Sequence, residues 1–120
     1  MPERTLLVVD AANVVGSVPD GWWRDRHGAA ERLRDRLVSR AEHGEHGEEI
    51  VLVVEGAARG VASVPGVRVV PAPGSGDDAI VAVVAAEGPG RRCVVVTADR
   101  GLRARVTALG AEVTGPRSVR

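Results

Sequence analysis

The chain has 120 residues, the size of one domain. Its 44% hydrophobic content excludes a disordered chain. A formal net charge of zero supplies no global basic field for nucleic acid, although a neutral total also accommodates a basic rim around an acidic pocket.

Phe and Tyr are absent, and Trp22 and Trp23 are the two aromatic residues, so the core must be built from Val, Leu, Ile and Ala. All sixteen Lys-or-Arg residues are Arg. Cys93, the single cysteine, stands in the apolar run 92–96 and reads as a buried thiol. One cysteine cannot form an intrachain disulfide, which fits the reducing cytoplasm, the expected location. The apolar run 6–9 is too short for a signal peptide and meets Asp10 at once. No segment approaches the ~20 apolar residues of a membrane helix, and no membrane partner is expected.

Taken in chain order, the first apolar run covers 5–9 and is followed by Asp10. A helical pattern over 29–41 sets Ala30, Leu33, Leu37 and Val38 near one face, with Arg and Glu opposite. Residues 43–49 read as a polar surface loop. A second run covers 49–54 and is followed by Glu55; 57–64 has room for one irregular turn or short helix. A third, shorter run over 67–70 is closed by Pro71. The stretch 78–87 is almost wholly apolar after its acidic start, as a buried crossover helix requires. The fourth run, 92–96, leads into Thr97-Ala98-Asp99. A helix over 100–109 groups Leu102, Val106 and Leu109 and ends at Gly110, a suitable C′ residue. A weak fifth run covers 111–114, and 115–120 reads as a frayed tail. The first, second and fourth runs are continuous rather than alternating, which favours strands covered on both faces. Strands alternating with helices imply β-α-β units, right-handed crossovers and a parallel sheet in a single domain over 1–120.

Several acids stand just past the C-terminal end of a strand, the edge where open α/β sheets hold their ligands. If strands one to three run outward one way and strand four returns to the other side of strand one, Asp10 and Asp99 are neighbours across the switch point. The helix starting at Asp77-Asp78 crosses above them, and Glu55 lies one strand further along. Carboxylates gathered in this way repel one another, a cost relieved by protons or a cation. With no Lys as counter-ion, a hard divalent cation with oxygen ligands, Mg²⁺ or Mn²⁺, is the expected cofactor. Each acid also has a structural role open to it. Asp99 suits the N-cap of the following helix, and Ser75-Gly-Asp-Asp78 suits a capping box with Asp for Glu. Glu55 suits a turn with a local ion pair to Arg59. Asp10 is the exception, because a charge ending a buried strand is costly unless paired or coordinated. The joint placement of the acids at one edge points to a site. Asn13, three residues after Asp10, suits a hydrogen bond to a ligand carboxylate or to substrate, or an Asx-turn.

Absences exclude rivals. There is no phosphate-binding loop ending in Lys, and no Gly-x-Gly-x-x-Gly follows strand one. Phosphorelay receivers and haloacid-dehalogenase-like phosphatases require a Lys, and the latter a second acid where Ala12 stands. His27, His43 and His46 lack zinc spacing with Cys and read as surface residues.

Three stretches together resemble the PIN-like nuclease superfamily and its NYN branch of small bacterial RNA-binding or RNA-cleaving proteins. They are Leu6-Leu-Val-Val-Asp10-Ala-Ala-Asn13, Gly76-Asp-Asp78-Ala-Ile80 and Val94-Val-Val-Thr97-Ala-Asp99-Arg100. The resemblance implies a three-layer α/β/α sandwich with a Rossmann-like parallel sheet and a metal-dependent endoribonuclease acting on RNA. It implies Asp10, Asp78 and Asp99 as core ligands, Asp77 as a further ligand or substrate-side acid, and Asn13 beside them. Glu55 stands where many members carry an Asp, and Ala11 replaces a frequent Gly. RNA contacts are expected from the rim: Trp22, Trp23 and Arg24 by stacking and phosphate contact, with Arg59, Arg100 and Arg103 as further phosphate contacts. A core lid is the alternative for one Trp, and a solvated helix position for Arg103. Two other readings use the same residues, a metal-dependent nucleotide phosphohydrolase and a non-catalytic RNA-binding or protein-binding module. The assembly is left open between a monomer and a homodimer.

Overall fold

The computed structural model describes residues 4–43 and 47–120. The surface placement expected for His46 and for the His43 side chain lies outside them, as does much of the expected 43–49 loop. Five strands form one parallel sheet: β1 (Leu6–Asp10), β2 (Glu49–Val54), β3 (Val67–Pro71), β4 (Cys93–Val96) and β5 (Glu112–Thr114). Their order is β3-β2-β1-β4-β5, so the chain switches direction across the sheet between β1 and β4. The register sets Val9 beside Leu52 and Val96, and Asp10 beside Val53.

Four helices cover the faces: α1 (Ala11–Gly16), α2 (Arg26–His43), α3 (Gly76–Glu87) and α4 (Arg100–Thr107). Alternate residues of each strand feed two cores. Leu7, Val9, Ile50 and Leu52 pack with Val14, Leu33 and Leu37 of α1 and α2. Leu6, Val8, Val51 and Val53 pack with Ile80, Val84, Leu102 and Val106 of α3 and α4. The result is the three-layer α/β/α arrangement, with β1 buried along its whole length. Continuous Val and Leu runs are what such two-sided burial demands.

Helix α4 ends at Thr107, two residues before the expected end, and Leu109 is exposed instead of grouped with the buried Leu102 and Val106; the expected glycine end still follows. Gly110 has φ +92°, its N–H donates to Thr107 O at 3.0 Å, and Ala111 N–H donates to Val106 O at 3.1 Å, the paired bonds of a Schellman end. Pro71 is the last residue of β3 rather than its stop; β3 is an edge strand, where a missing N–H is tolerated. Two other segments differ from the sequence reading. The segment after Asp10 is a six-residue helix capped by Asp10, where the sequence leaves an Asx-turn at Asn13 open. The end of the chain is docked rather than frayed: a 3-10 turn covers Pro116–Ser118, Val119 is buried in the α1–α2 core, and Arg120 donates to Ser17 O at 2.9 Å. Between 57 and 64 the regular structure is limited to the end of a 3-10 turn, Gly56–Ala58.

Candidate functional site

Asp10 ends the central strand and is 7% exposed. Its carboxylate is held from two sides. Oδ1 accepts the Asn13 N–H at 3.3 Å, which caps α1. Oδ2 accepts the Thr97 hydroxyl at 2.9 Å, across the β1–β4 boundary. Burial pushes the Asp10 carboxyl above its ordinary range; the bonds from Thr97 and Asn13 pull it back in part, and the Asp77 and Glu55 carboxylates push it up further. No Arg forms an ion pair with Asp10 among the described residues.

Thr97 is itself buried and faces two acids at once. Its Oγ1 donates to Asp10 and accepts the Asp99 N–H at 3.1 Å. Asn13 adds a second tie between the same segments, its Oδ1 accepting the Ala98 N–H at 2.8 Å. Asp99 caps α4 through Oδ1, which accepts the Leu102 N–H at 2.8 Å. The cap occupies one oxygen, and the residue is exposed, so capping and ligand roles are compatible.

Glu55 follows β2. Its Oε2 accepts the Gly76 N–H at 2.8 Å and anchors the start of α3. A Cβ at position 76 would stand 3.1 Å from that carboxyl carbon, so glycine permits the approach. The ion pair expected between Glu55 and Arg59 is not formed; the Arg59 Nε donates to Gly56 O at 3.3 Å.

The two acids of α3 point to different places. Asp77 is half-buried, and its carboxyl is pushed up by burial, then by Asp99 and Glu55, against the pull of Arg105. Asp78 is exposed and accepts from the Arg105 Nη2 of α4 at 3.0 Å. The Asp78 N–H donates to Ser75 Oγ at 3.4 Å, so Ser75 is the cap while the Asp78 side chain reaches away to α4. Asp10, Glu55, Asp77 and Asp99 therefore share one electrostatic field, and Asp78 is tethered beside it. No three His, Cys, Asp or Glu side chains among the described residues converge closely enough to enclose an ion by themselves.

The rim begins in the 3-10 turn Trp22–Arg24. Trp22 and Trp23 meet edge to face, their centroids 6.0 Å apart. Trp22 is half-buried, while Trp23 is 55% exposed. The Arg24 guanidinium lies 5.9 Å from the Trp23 ring centre and that of Arg26 5.5 Å from the Trp22 ring centre, both within cation–π range. Trp22 lines a cleft of about 390 Å³, as do Arg26 and Glu55. Arg59, Arg100 and Arg103 are exposed, the last two on α4. Sequence reasoning gave no site role to Thr97, Arg105 or Arg26. Thr97 did carry a signal, a hydroxyl ending an otherwise apolar strand opposite Asp10.

A three-layer sandwich with acids at the switch point of a parallel sheet is thus the class of structure in hand. No family model matches the sequence, and no curated protein matches it. Among solved structures it is similar to Rae1 (YacP) from Bacillus subtilis, with a TM-score of 0.78 and 17% identity over 93% of this chain and 69% of that one. The W164L mutant of the same protein gives a TM-score of 0.80 and 17% identity over 96% of this chain and 72% of that one. At such identity the likeness is one of fold. No described helix is long and apolar enough to cross a membrane.

Proposed function

We propose that this chain is a metal-dependent ribonuclease of the PIN-like superfamily, NYN branch, with its reaction centre at the C-terminal edge of β1 and β4. The observation that carries the reading is Asp10, a buried carboxylate facing Glu55 and Asp77 with no cationic side chain paired to it among the described residues. A buried anion is tolerated when a cation or a proton compensates it. The donor set is all carboxylate, which fits Mg²⁺ or Mn²⁺. Mg²⁺ keeps several waters and takes one or two protein carboxylates directly, so it does not require three side chains to enclose it, and among the described residues no three do.

Asp10, Asp77 and Asp99 would hold the metal. When bound, it supplies Lewis acidity to a phosphoryl oxygen and lowers the pKa of water. The chain does the rest. Thr97 fixes the orientation of Asp10 and the backbone of Asp99 through one hydroxyl. Asn13 locks α1 against the β4–α4 connection. Glu55 sets the position of α3, and with it Asp77. Arg105 balances part of the acidic field through Asp78. Trp23, Arg24, Arg59, Arg100 and Arg103 are exposed contacts for the RNA strand.

The test is incubation of the purified protein with labelled single-stranded RNA, structured RNA and nucleoside triphosphates, in Mn²⁺ or EDTA. Internal RNA cleavage in Mn²⁺, abolished by EDTA and by Asp10→Asn, is the expected result. Hydrolysis of triphosphates alone would replace the reading with a nucleotide phosphohydrolase; RNA binding without cleavage would replace it with a binding module.

A further inference from the structure

The corner between α1, α2 and the Gly56–Ala58 turn is built unlike the rest of the core. Elsewhere Val, Leu and Ile fill the space beneath the helices. Here the floor is Ala11, Ala30 and Ala58, all buried. Gly56 and Gly74 stand at its edge, where even an added Cβ would meet nothing within 4 Å. The result is the 390 Å³ cleft, of a size with small-molecule sites, which run from about 300 to 1,000 Å³.

Its walls carry one aromatic ring and two charges. Trp22 supplies the ring, with the Arg26 guanidinium 5.5 Å from its centre. Among the described residues Arg26 has no hydrogen-bond or ion-pair partner. Glu55 also lines the cleft, with Oε2 engaged by Gly76 and, among the described residues, no hydrogen bond to Oε1. Glu55 is also one of the anions that face Asp10 and Asp77, so the cleft opens directly beside the acidic site.

We infer that this cleft receives one unpaired nucleobase of the RNA strand, next to the phosphate at the acidic site; the inference rests on the ribonuclease reading. A flat ring fits a slot whose apolar walls are Ala, Gly, Val15 and Trp22, and an unstacked base gains from contact with an aromatic face. Every base carries acceptors and, in guanine, adenine, cytosine and uracil alike, an N–H donor. Arg26 supplies donors and the Glu55 Oε1 an acceptor, and both line the slot. An aliphatic or phosphate ligand would use the ring or the cation, but not both charges and the ring together.

The experiment uses the full chain with Trp23→Phe, so that Trp22 is the only emitting indole. Adenosine, guanosine, cytidine and uridine monophosphates are titrated in Mn²⁺, and the bases flanking each RNA cleavage are mapped. The expected result is saturable quenching of Trp22 at millimolar nucleotide and a cleavage preference for particular flanking bases. Ala12→Leu, which fills the cleft from the exposed side of α1, should abolish the quenching. Arg26→Gln, at an exposed position, should weaken it about tenfold, the scale of one lost stacking or charge contact. Both variants should flatten the base preference. No quenching by any nucleotide, with RNA cleaved at the same positions by both variants, overturns the inference and leaves the ribonuclease reading standing. Saturable quenching in a protein that neither binds nor cleaves RNA upholds a base slot and removes the ribonuclease reading instead.

Discussion

The Thr97 hydroxyl donates to the Asp10 carboxylate across the switch point of the sheet, Oγ1 to Oδ2, at 2.9 Å. The same oxygen accepts the Asp99 N–H at 3.1 Å. One buried hydroxyl thus couples the acid that ends β1 to the acid that starts α4. Thr97→Val keeps the shape and removes both bonds, leaving the Asp99 N–H without its partner. Stability should fall by about 1–3 kcal/mol, measured by urea denaturation. Asp10 would lose the bond that most lowers its pKa, so half-maximal Mn²⁺ response should move to higher pH. Thr97→Ser should restore both. Unchanged stability and pH response in Thr97→Val would deny the coupling.

The two adjacent acids of α3 should separate cleanly. Asp77 faces Asp99 and Glu55, whereas Asp78 pairs with Arg105 at the surface, with side chains 73% and 46% exposed. Such a pair is worth about 0–1 kcal/mol. Asp77→Asn should lose Mn²⁺-dependent cleavage, while Asp78→Asn should keep most of it with a small loss of stability. Kinetics on one labelled RNA decides, and the opposite ranking would make Asp78 the metal-facing acid.

Ser at position 99 separates the observed cap from the proposed metal role of Asp99. Ser caps helices about as well as Asp, so Asp99→Ser should preserve the bond to the Leu102 N–H and the melting temperature. It should still lose the metal response. Retained cleavage would mark Asp99 as a cap alone.

The exposed rim should act through charge. Arg24 lies over Trp23 and is open to solvent. Arg24→Ala should lower the slope of log affinity against log salt by about one unit at most, as one phosphate contact is lost, with folding little changed. An unchanged slope would move the RNA path towards Arg59, Arg100 and Arg103.

Much of this arrangement was legible before the fold. Continuous Val and Leu runs mark buried parallel strands, and their order places Asp10 and Asp99 on either side of the switch point. What stayed hidden has physical causes. Helix α1 is six residues long, too short for its periodicity to stand out. Asp77 and Asp78 are indistinguishable in a string of letters; the turn of the helix sends one towards Glu55 and the other to Arg105, a partner 27 positions away. Thr97 ends a Val run and reads as an ordinary strand residue until Asp10 is found opposite. The last residues look polar and loose, yet Val119 is buried and Arg120 reaches Ser17.

If the charge on Asp10 is kept for a cation, as proposed, its cost has a definite sign. Burial, then the facing Asp77 and Glu55, raise the folded pKa of Asp10 above the ordinary 3.8. The folded state therefore binds the proton more tightly than the unfolded chain. That contribution to stability is fully present below about pH 3.8 and is lost as pH rises through the folded value. At neutral pH, without metal, the ionised Asp10 weighs against the fold. Asn keeps the cap at α1 without the charge, and its amide N–H can donate to the Thr97 hydroxyl oxygen in place of the bond that Oδ2 accepts. The most direct measurement is the melting temperature of wild type and Asp10→Asn at neutral pH, each in EDTA and in Mn²⁺. Asp10→Asn should melt a few degrees higher in EDTA, and Mn²⁺ should raise the wild type but not the variant. A wild type indifferent to millimolar Mn²⁺, or one raised no more than Asp10→Asn, would contradict the proposal.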